Sequence, residues 1–156
     1  MPPQSKKTEA AHINQTNVDP QTVEAFSQQW DHFTSWEENT FNTGMPYLFE
    51  EFFSIFPWDT IGTDHIGIEI GSGPGRFAKL IAPKVKHLTL LDAAEGAIRA
   101  AKENLKDIEN VSFINKPLQE AGIQNNSMDF VYSYGVLHHI PDTPQSIKDC
   151  VAMLKP

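Results

Sequence analysis

The chain has 156 residues, enough for one domain that buries roughly two-thirds of its unfolded surface. Its apolar content of 40% and charged content of 21% are those of an ordinary globular domain. Twelve basic against twenty acidic residues give a net charge of −8, which argues against a broad phosphate-binding surface and so against nucleic acid as the main partner.

Residues 1–18 are polar with scattered apolar side chains and read as a disordered arm, without the apolar core of a signal peptide. Order is expected from Asp19-Pro20, a helix N-cap followed by proline in the first helical position. Val23, Phe26, Trp30 and Phe33 then recur at spacings of three and four, the stripe of an amphipathic helix. From Trp36 to Trp58 the chain is dense in aromatics: Phe41, Tyr47, Phe49, Phe52, Phe53 and Phe56. Two readings stay open for this aromatic segment, helices packed on a sheet as core, or an aromatic lid over a ligand pocket, and residues 19–60 as a whole are expected to be a helical N-terminal segment or lid.

From residue 64 the rhythm becomes strand, helix, strand. Ile66, Ile68 and Ile70 mark a first strand, and a glycine loop opens a helix over Arg76–Ile81 that Pro83 stops. His87–Leu91 is a second strand ending in Asp92, Ala93–Leu105 a helix with Ile98, Ala101 and Leu105 on one face, and Val111–Ile114 a third strand. Pro117–Asn126 reads as a loop or weak helix, Met128–Tyr134 as a fourth strand and Thr143–Leu154 as the last helix. Strands alternating with helices in this way predict a doubly wound α/β domain with a mainly parallel sheet over 64–156. The fourth strand is apolar enough to be an interior one, and a further strand is expected after Pro156; without it, this strand would be an edge open to pairing with another copy. Cys150 lies in the apolar pattern of the last helix, reads as a buried structural thiol, and leaves no disulfide partner. With no apolar run long enough to span a membrane, a cytoplasmic protein is expected.

The stretch HIGIEIGSGPGRF, His65 to Phe77, places glycines where backbone must approach a nucleotide-like ligand. An acid ending the next strand, Asp92, can accept both hydroxyls of a ribose. The dinucleotide fingerprint needs glycines at its first, third and sixth positions, and counting from Gly71 the sixth is Arg76. Glu69, two residues before the first glycine, would repel a pyrophosphate yet could receive an ammonium or sit near a sulfonium.

EIGSGPG (Glu69–Gly75), LLDAAEGAI (Leu90–Ile98), MDFVYSYGVLHHIPD (Met128–Asp142) and the closing MLKP, four motifs in order, resemble a class I S-adenosylmethionine-dependent methyltransferase of Rossmann-like fold over about residues 64–156. The resemblance implies that Gly71, Ser72, Gly73 and Gly75 line the methionine and ribose part of S-adenosylmethionine, with Glu69 holding its amino group. It also implies Asp92 on the ribose, Ala93 beside the adenine, and Tyr134 and Gly135 bordering the methionine moiety and methyl group. The family often carries an acid for the adenine amino group where this chain has Pro117, so Leu118 backbone and apolar contact would serve instead, with Glu120 as a substitute if the loop shifts. His138 and His139 are the motif-borne candidates for a general base, against the plainer reading of a structural His-His turn. No third ligand accompanies them at recognisable spacing, so no metal site is expected. A small-molecule acceptor suits the acidic chain and its aromatic leader. The competing reading is a cofactor-binding or interaction module without turnover.

Overall fold

The computed structural model describes residues 17–32 and 38–156, with side chains at 17–32 and 44–156. Residues 1–16 of the expected arm, Phe33, Trp36 and the Phe41 side chain lie outside the described residues. In chain order the helices are α1 (Pro20–His32), α2 (Glu38–Phe52), α3 (Ala78–Ile81), α4 (Glu95–Asn104) and α5 (Thr143–Met153). The strands are β1 (Ile66–Ile70), β2 (His87–Asp92), β3 (Val111–Asn115) and β4 (Phe130–Tyr132), in the spatial order β3-β2-β1-β4 with every pair parallel. This is the doubly wound, Rossmann-like arrangement that the alternation predicts. Among the described residues no helix is long and apolar enough to cross a membrane.

Several boundaries shift from the sequence reading by a residue or two, and α3 and β4 contract the most for their length. The helix expected over Arg76–Ile81 contracts to the four residues of α3, because the turn out of the glycine loop still occupies Arg76 and Phe77 and Pro83 starts a 3-10 turn at Ala82–Lys84. β4 contracts to Phe130–Tyr132; below it, Met128 instead forms a parallel bridge to Leu154, and Lys155 N–H donates to the Met128 carbonyl at 2.9 Å.

Parallel strands are covered on both faces, so both side-chain sets of β1 are buried. Ile68 and Ile70 pack with Leu91, Leu118 and Met153 on one face. Gly67 and Glu69 point to the other, where Phe49, Phe53, Phe77, Leu88, Leu90, Phe130 and Tyr132 form the larger, aromatic core. Gly67 is required there, since a Cβ on it would lie 2.1 Å from Phe130 Cζ on the paired strand. The aromatic ring thus fills the place a β1 side chain would take. Of the aromatic segment, Phe49 and Phe53 are core, and Phe52 stacks on Tyr134 at 4.5 Å while 42% exposed. Cys150 is half-buried at the margin of the smaller core, and burial pushes its thiol up to about 11, which leaves it inert near neutral pH.

α1 is fastened outside the sheet. Asp19 caps it, accepting from the Gln21 N–H (3.1 Å) and the Thr22 hydroxyl (2.6 Å), as the Asp-Pro pair predicts. Two polar attachments hold α1 in place. At its start Asn17, in the left-handed region at φ 46°, accepts from the Asp142 N–H (2.6 Å) and donates to the Asp142 carbonyl (3.1 Å) and Ser146 Oγ (3.3 Å). Toward its end Ser27 Oγ accepts from the Gly96 N–H at 3.0 Å, and Arg99 pairs with Asp31 at 2.6 Å.

Candidate functional site

β2 and β4 flank β1 on opposite sides, so the chain's crossovers reverse direction at the C-terminal end of β1. Open α/β sheets bind ligands at that point, and here it holds a cavity of about 330 Å³. Its floor is formed by the ends of β1 and β2 and the segment after β4; its roof is the apolar stripe of α1, Val23, Phe26 and Trp30. None of α1's residues is fully buried, because this stripe faces the cavity rather than packed core. Within residues 19–60, α1 is the described element that lies over the cavity. The described side chains of α2 do not line the cavity.

Between β1 and α3 the glycine loop is wound through positive φ at Gly71 (71°), Gly73 (51°) and Gly75 (77°). A Cβ on Gly71 would collide with Val136 at 2.3 Å, and one on Gly73 would meet Trp30 at 3.3 Å. The loop's donors are already used. Gly71 and Ser72 N–H groups donate to the Leu91 carbonyl (2.7 and 3.1 Å), Gly73 N–H to Asp92 Oδ2 (2.9 Å) and Gly75 N–H to the Ser72 carbonyl (3.0 Å). Pyrophosphate sites depend on free N–H groups in the loop and at the following helix start; those of Gly71, Ser72, Gly73 and Gly75 are all bonded within the protein. It is the glycine spacing, with Arg76 at the sixth position, that disfavours a dinucleotide.

Two carboxyl groups bracket the loop. Glu69 is 2% exposed, lines the cavity, and its Oε2 has no hydrogen-bond partner. Burial pushes it up to about 8; Tyr132 and Arg76 pull it down, and Asp92 pushes it further up. Asp92 is raised by burial and held back by the N–H groups of Ala94 (Oδ1, 2.9 Å) and Gly73. A carboxylate has about four lone-pair positions, so Asp92 keeps acceptor capacity toward the cavity after these two bonds. An orphaned buried carboxyl oxygen at one end, an acceptor at the other and side-chain-free backbone between them fit an elongated ligand with an ammonium and a ribose.

Of the sequence-predicted residues, Glu69, Gly71, Ser72, Gly73, Asp92, Ala93, Leu118, Tyr134, Gly135 and His139 line the cavity. Gly75 does not: a Cβ on it would meet Leu105 Cδ1 at 2.8 Å, so it is needed for packing against α4. Nor does His138. Both histidines lie on a 3-10 turn at Leu137–His139 and both are exposed, but only His139 turns to the rim, edge-on to Phe26 at 5.1 Å. Pro117 lines the cavity beside Leu118, whereas Glu120 is exposed and does not; Gln119 lines the cavity instead, tied to Asp149 at 2.9 Å. Sequence reasoning missed Asn17, Gln119 and two braces. Asn115 donates to the carbonyls of Asp92 and Ala93, both at 3.0 Å, and Asn104 to the Pro74 carbonyl at 3.0 Å. Asparagines at a strand's end and a helix's last turn were the available signal. Among the described residues no group of three or more His, Cys, Asp or Glu could hold a metal ion.

Comparison with known proteins converges on this geometry. A methyltransferase domain model matches residues 68–156, more than half of the chain. Human arsenite methyltransferase is 31% identical over 102 residues, covering 56% of this chain and 27% of its own length. The ubiquinone biosynthesis O-methyltransferase of Acinetobacter baylyi is 25% identical over 158 residues, covering 92% of this chain and 61% of its own. The chain therefore spans between about a quarter and three-fifths of these relatives. The N-methyltransferase NodS from Bradyrhizobium japonicum, solved with S-adenosylhomocysteine, shares the fold at a TM-score of 0.66 and 21% identity, covering 84% of this chain and 68% of that one. The cavity beyond β1, the Glu69-to-Asp92 span and the match from Ile68 onward together make this chain a member of the methyltransferase domain family.

Proposed function

We propose that the chain binds S-adenosylmethionine beneath α1 and methylates a small-molecule acceptor. The observation that carries this reading is Glu69, a buried carboxyl with an unpartnered oxygen in a cavity whose glycine loop has no N–H groups to spare. When bound, the cofactor supplies a methyl group already activated by its sulfonium. The chain's own residues bind, orient and exclude water. Glu69 receives the ammonium, Gly71, Ser72 and Gly73 flank the methionine and ribose part, and Asp92 accepts from the ribose hydroxyls. Ala93, Leu118 and the side of Pro117 face the adenine, with Gln119 nearby. Tyr134 and Gly135 border the reacting end, and Trp30 and Phe26 close it from above.

His139, at the rim against Phe26, is the residue positioned to take a proton from an acceptor; His138 does not line the cavity, although its ring lies 4.0 Å from that of His139. An acceptor of small size is supported by relatives named for arsenite and for ubiquinone biosynthesis. The test is calorimetry with S-adenosylhomocysteine, followed by turnover with labelled S-adenosylmethionine against phenols, amines and arsenite. Binding with turnover on one acceptor class supports the proposal. Binding without turnover on any class favours a cofactor-binding module, and tight NADH binding with none of S-adenosylhomocysteine overturns the reading.

A further inference from the structure

Among the described residues three buried side-chain atoms lack hydrogen-bond partners, and two of them are neighbours across a strand pair: Glu69 Oε2 on β1 and the Tyr132 hydroxyl on β4. Glu69 and Tyr132 are register partners on the aromatic face of the sheet, 2% and 4% exposed. The third atom, Trp58 Nε1, belongs to a ring 6.2 Å from that of Tyr132. A tyrosine hydroxyl shut inside an aromatic core costs free energy unless it bonds something, and phenylalanine would fill the same space without that cost. The rings of Phe53, Trp58 and Phe130 pack around Tyr132, and Glu69 is the polar group that faces it.

We propose that Tyr132 is a positioning residue for Glu69, its hydroxyl donating to the carboxylate once a ligand ammonium occupies the other side. The inference rests on the ammonium-binding role assigned to Glu69 above. In the free protein burial holds the carboxyl largely protonated while the facing Tyr132 hydroxyl already pulls it toward ionisation, and neither Glu69 Oε2 nor that hydroxyl makes a hydrogen bond of full geometry. An arriving ammonium brings its own protons, so Glu69 releases one to solvent and becomes an acceptor for both donors. Arg76, from the glycine loop, favours the same ionised state, and Asp92, from β2, opposes it. As a hydrogen-bond donor, Tyr132 fixes which way the carboxylate points as well as favouring its charge.

The test compares the full chain with Y132F and E69Q by calorimetry with S-adenosylhomocysteine and with adenosine, from pH 6 to 9, in buffers of different ionisation enthalpy. The wild-type chain is expected to release close to one proton per S-adenosylhomocysteine at neutral pH, falling toward none as pH rises through about 8. Y132F is expected to fold with equal or greater thermal stability, because it removes an unpaired hydroxyl. It should bind S-adenosylhomocysteine about fivefold more weakly at pH 7, with its proton-release profile displaced to higher pH. Its adenosine affinity should be unchanged, a split that a general packing defect would not produce. E69Q should release no proton. A Y132F chain that binds S-adenosylhomocysteine like wild type at every pH overturns the role of Tyr132 alone. A wild-type chain that does not bind it overturns the function proposed above as well.

Discussion

Gly96 decides how closely α1 can approach the cavity, and replacing it by alanine separates the roof from the rest of the domain. A Cβ at this position would lie 2.2 Å from the Ser27 carbonyl oxygen and 3.0 Å from Asp31 Oδ1. A carbon rarely approaches a carbonyl oxygen closer than about 3.3 Å, so α1 must withdraw by about 1 Å. Withdrawal breaks the Gly96 N–H to Ser27 Oγ bond, a net contribution of about 1 kcal/mol, and lifts Trp30 from Gly73. The exposed Arg99–Asp31 pair adds little to this. Within α4 the same substitution is favourable by up to about 1 kcal/mol, since alanine is the better helix former. G96A is therefore expected to leave the thermal midpoint of the free chain nearly unchanged while weakening S-adenosylhomocysteine binding about five- to tenfold. Calorimetry gives the affinity, and hydrogen exchange over residues 20–32 reports whether α1 has loosened. Unchanged affinity together with unchanged protection of α1 would refute the reasoning that it is the roof.

Glu69 links stability to pH with an uncommon sign. Its folded value, about 8, lies above the ordinary 4.5, so the folded state holds a proton that the unfolded chain has lost. Stability of the free chain should fall by about 1.4 kcal/mol per pH unit from this group as pH rises from 4.5 toward 8, and level off above. Urea midpoints between pH 5 and 8.5 check this, and E69Q should flatten the slope. Asp92→Asn replaces one oxygen by a donor, leaving either the Gly73 or the Ala94 N–H without its acceptor. Adenosine affinity should fall about tenfold by titration, with the helical signal of α4 retained. His139→Ala should lower kcat about a hundredfold or more on a protonated acceptor, and His138→Ala should leave it near wild type. Equal losses in the two variants would show that the turn matters and the rim position does not.

The sheet could be read in advance because its signal is local: Ile66, Ile68 and Ile70, then His87–Leu91, announce strands by period and Pro83 by its missing N–H. Glu69 could be read as well, since a carboxyl at the end of an apolar strand has few structural reasons to be there. Position along the chain did not distinguish Gly75 from Gly73, nor His138 from His139. Those distinctions depend on which neighbour lies opposite, Leu105 in one case and Trp30 or Phe26 in the others. The stripe Val23, Phe26, Trp30 announced a helix but not what it would cover, because a ligand cavity and a hydrophobic core ask for the same residues. Asn17 and Gly96 act only through contacts made across distant parts of the chain, and neither carries a local pattern that would single it out.

The attachments of α1 also order events in time. β1 and β2 meet across a short connection, whereas the bond from Ile66 N–H to Asp129 spans 63 residues, that from Gly96 to Ser27 spans 69, and those from Asn17 to Asp142 span 125. Closing longer loops costs more entropy, and the Asn17 contacts return only a few exposed hydrogen bonds for it. The segment over the cavity is therefore expected to assemble last and to open first while the sheet stays intact, so that amide exchange over residues 20–32 should outpace that of β1 and β2. On that expectation a ligand would enter by local release of α1, with no separate hinge.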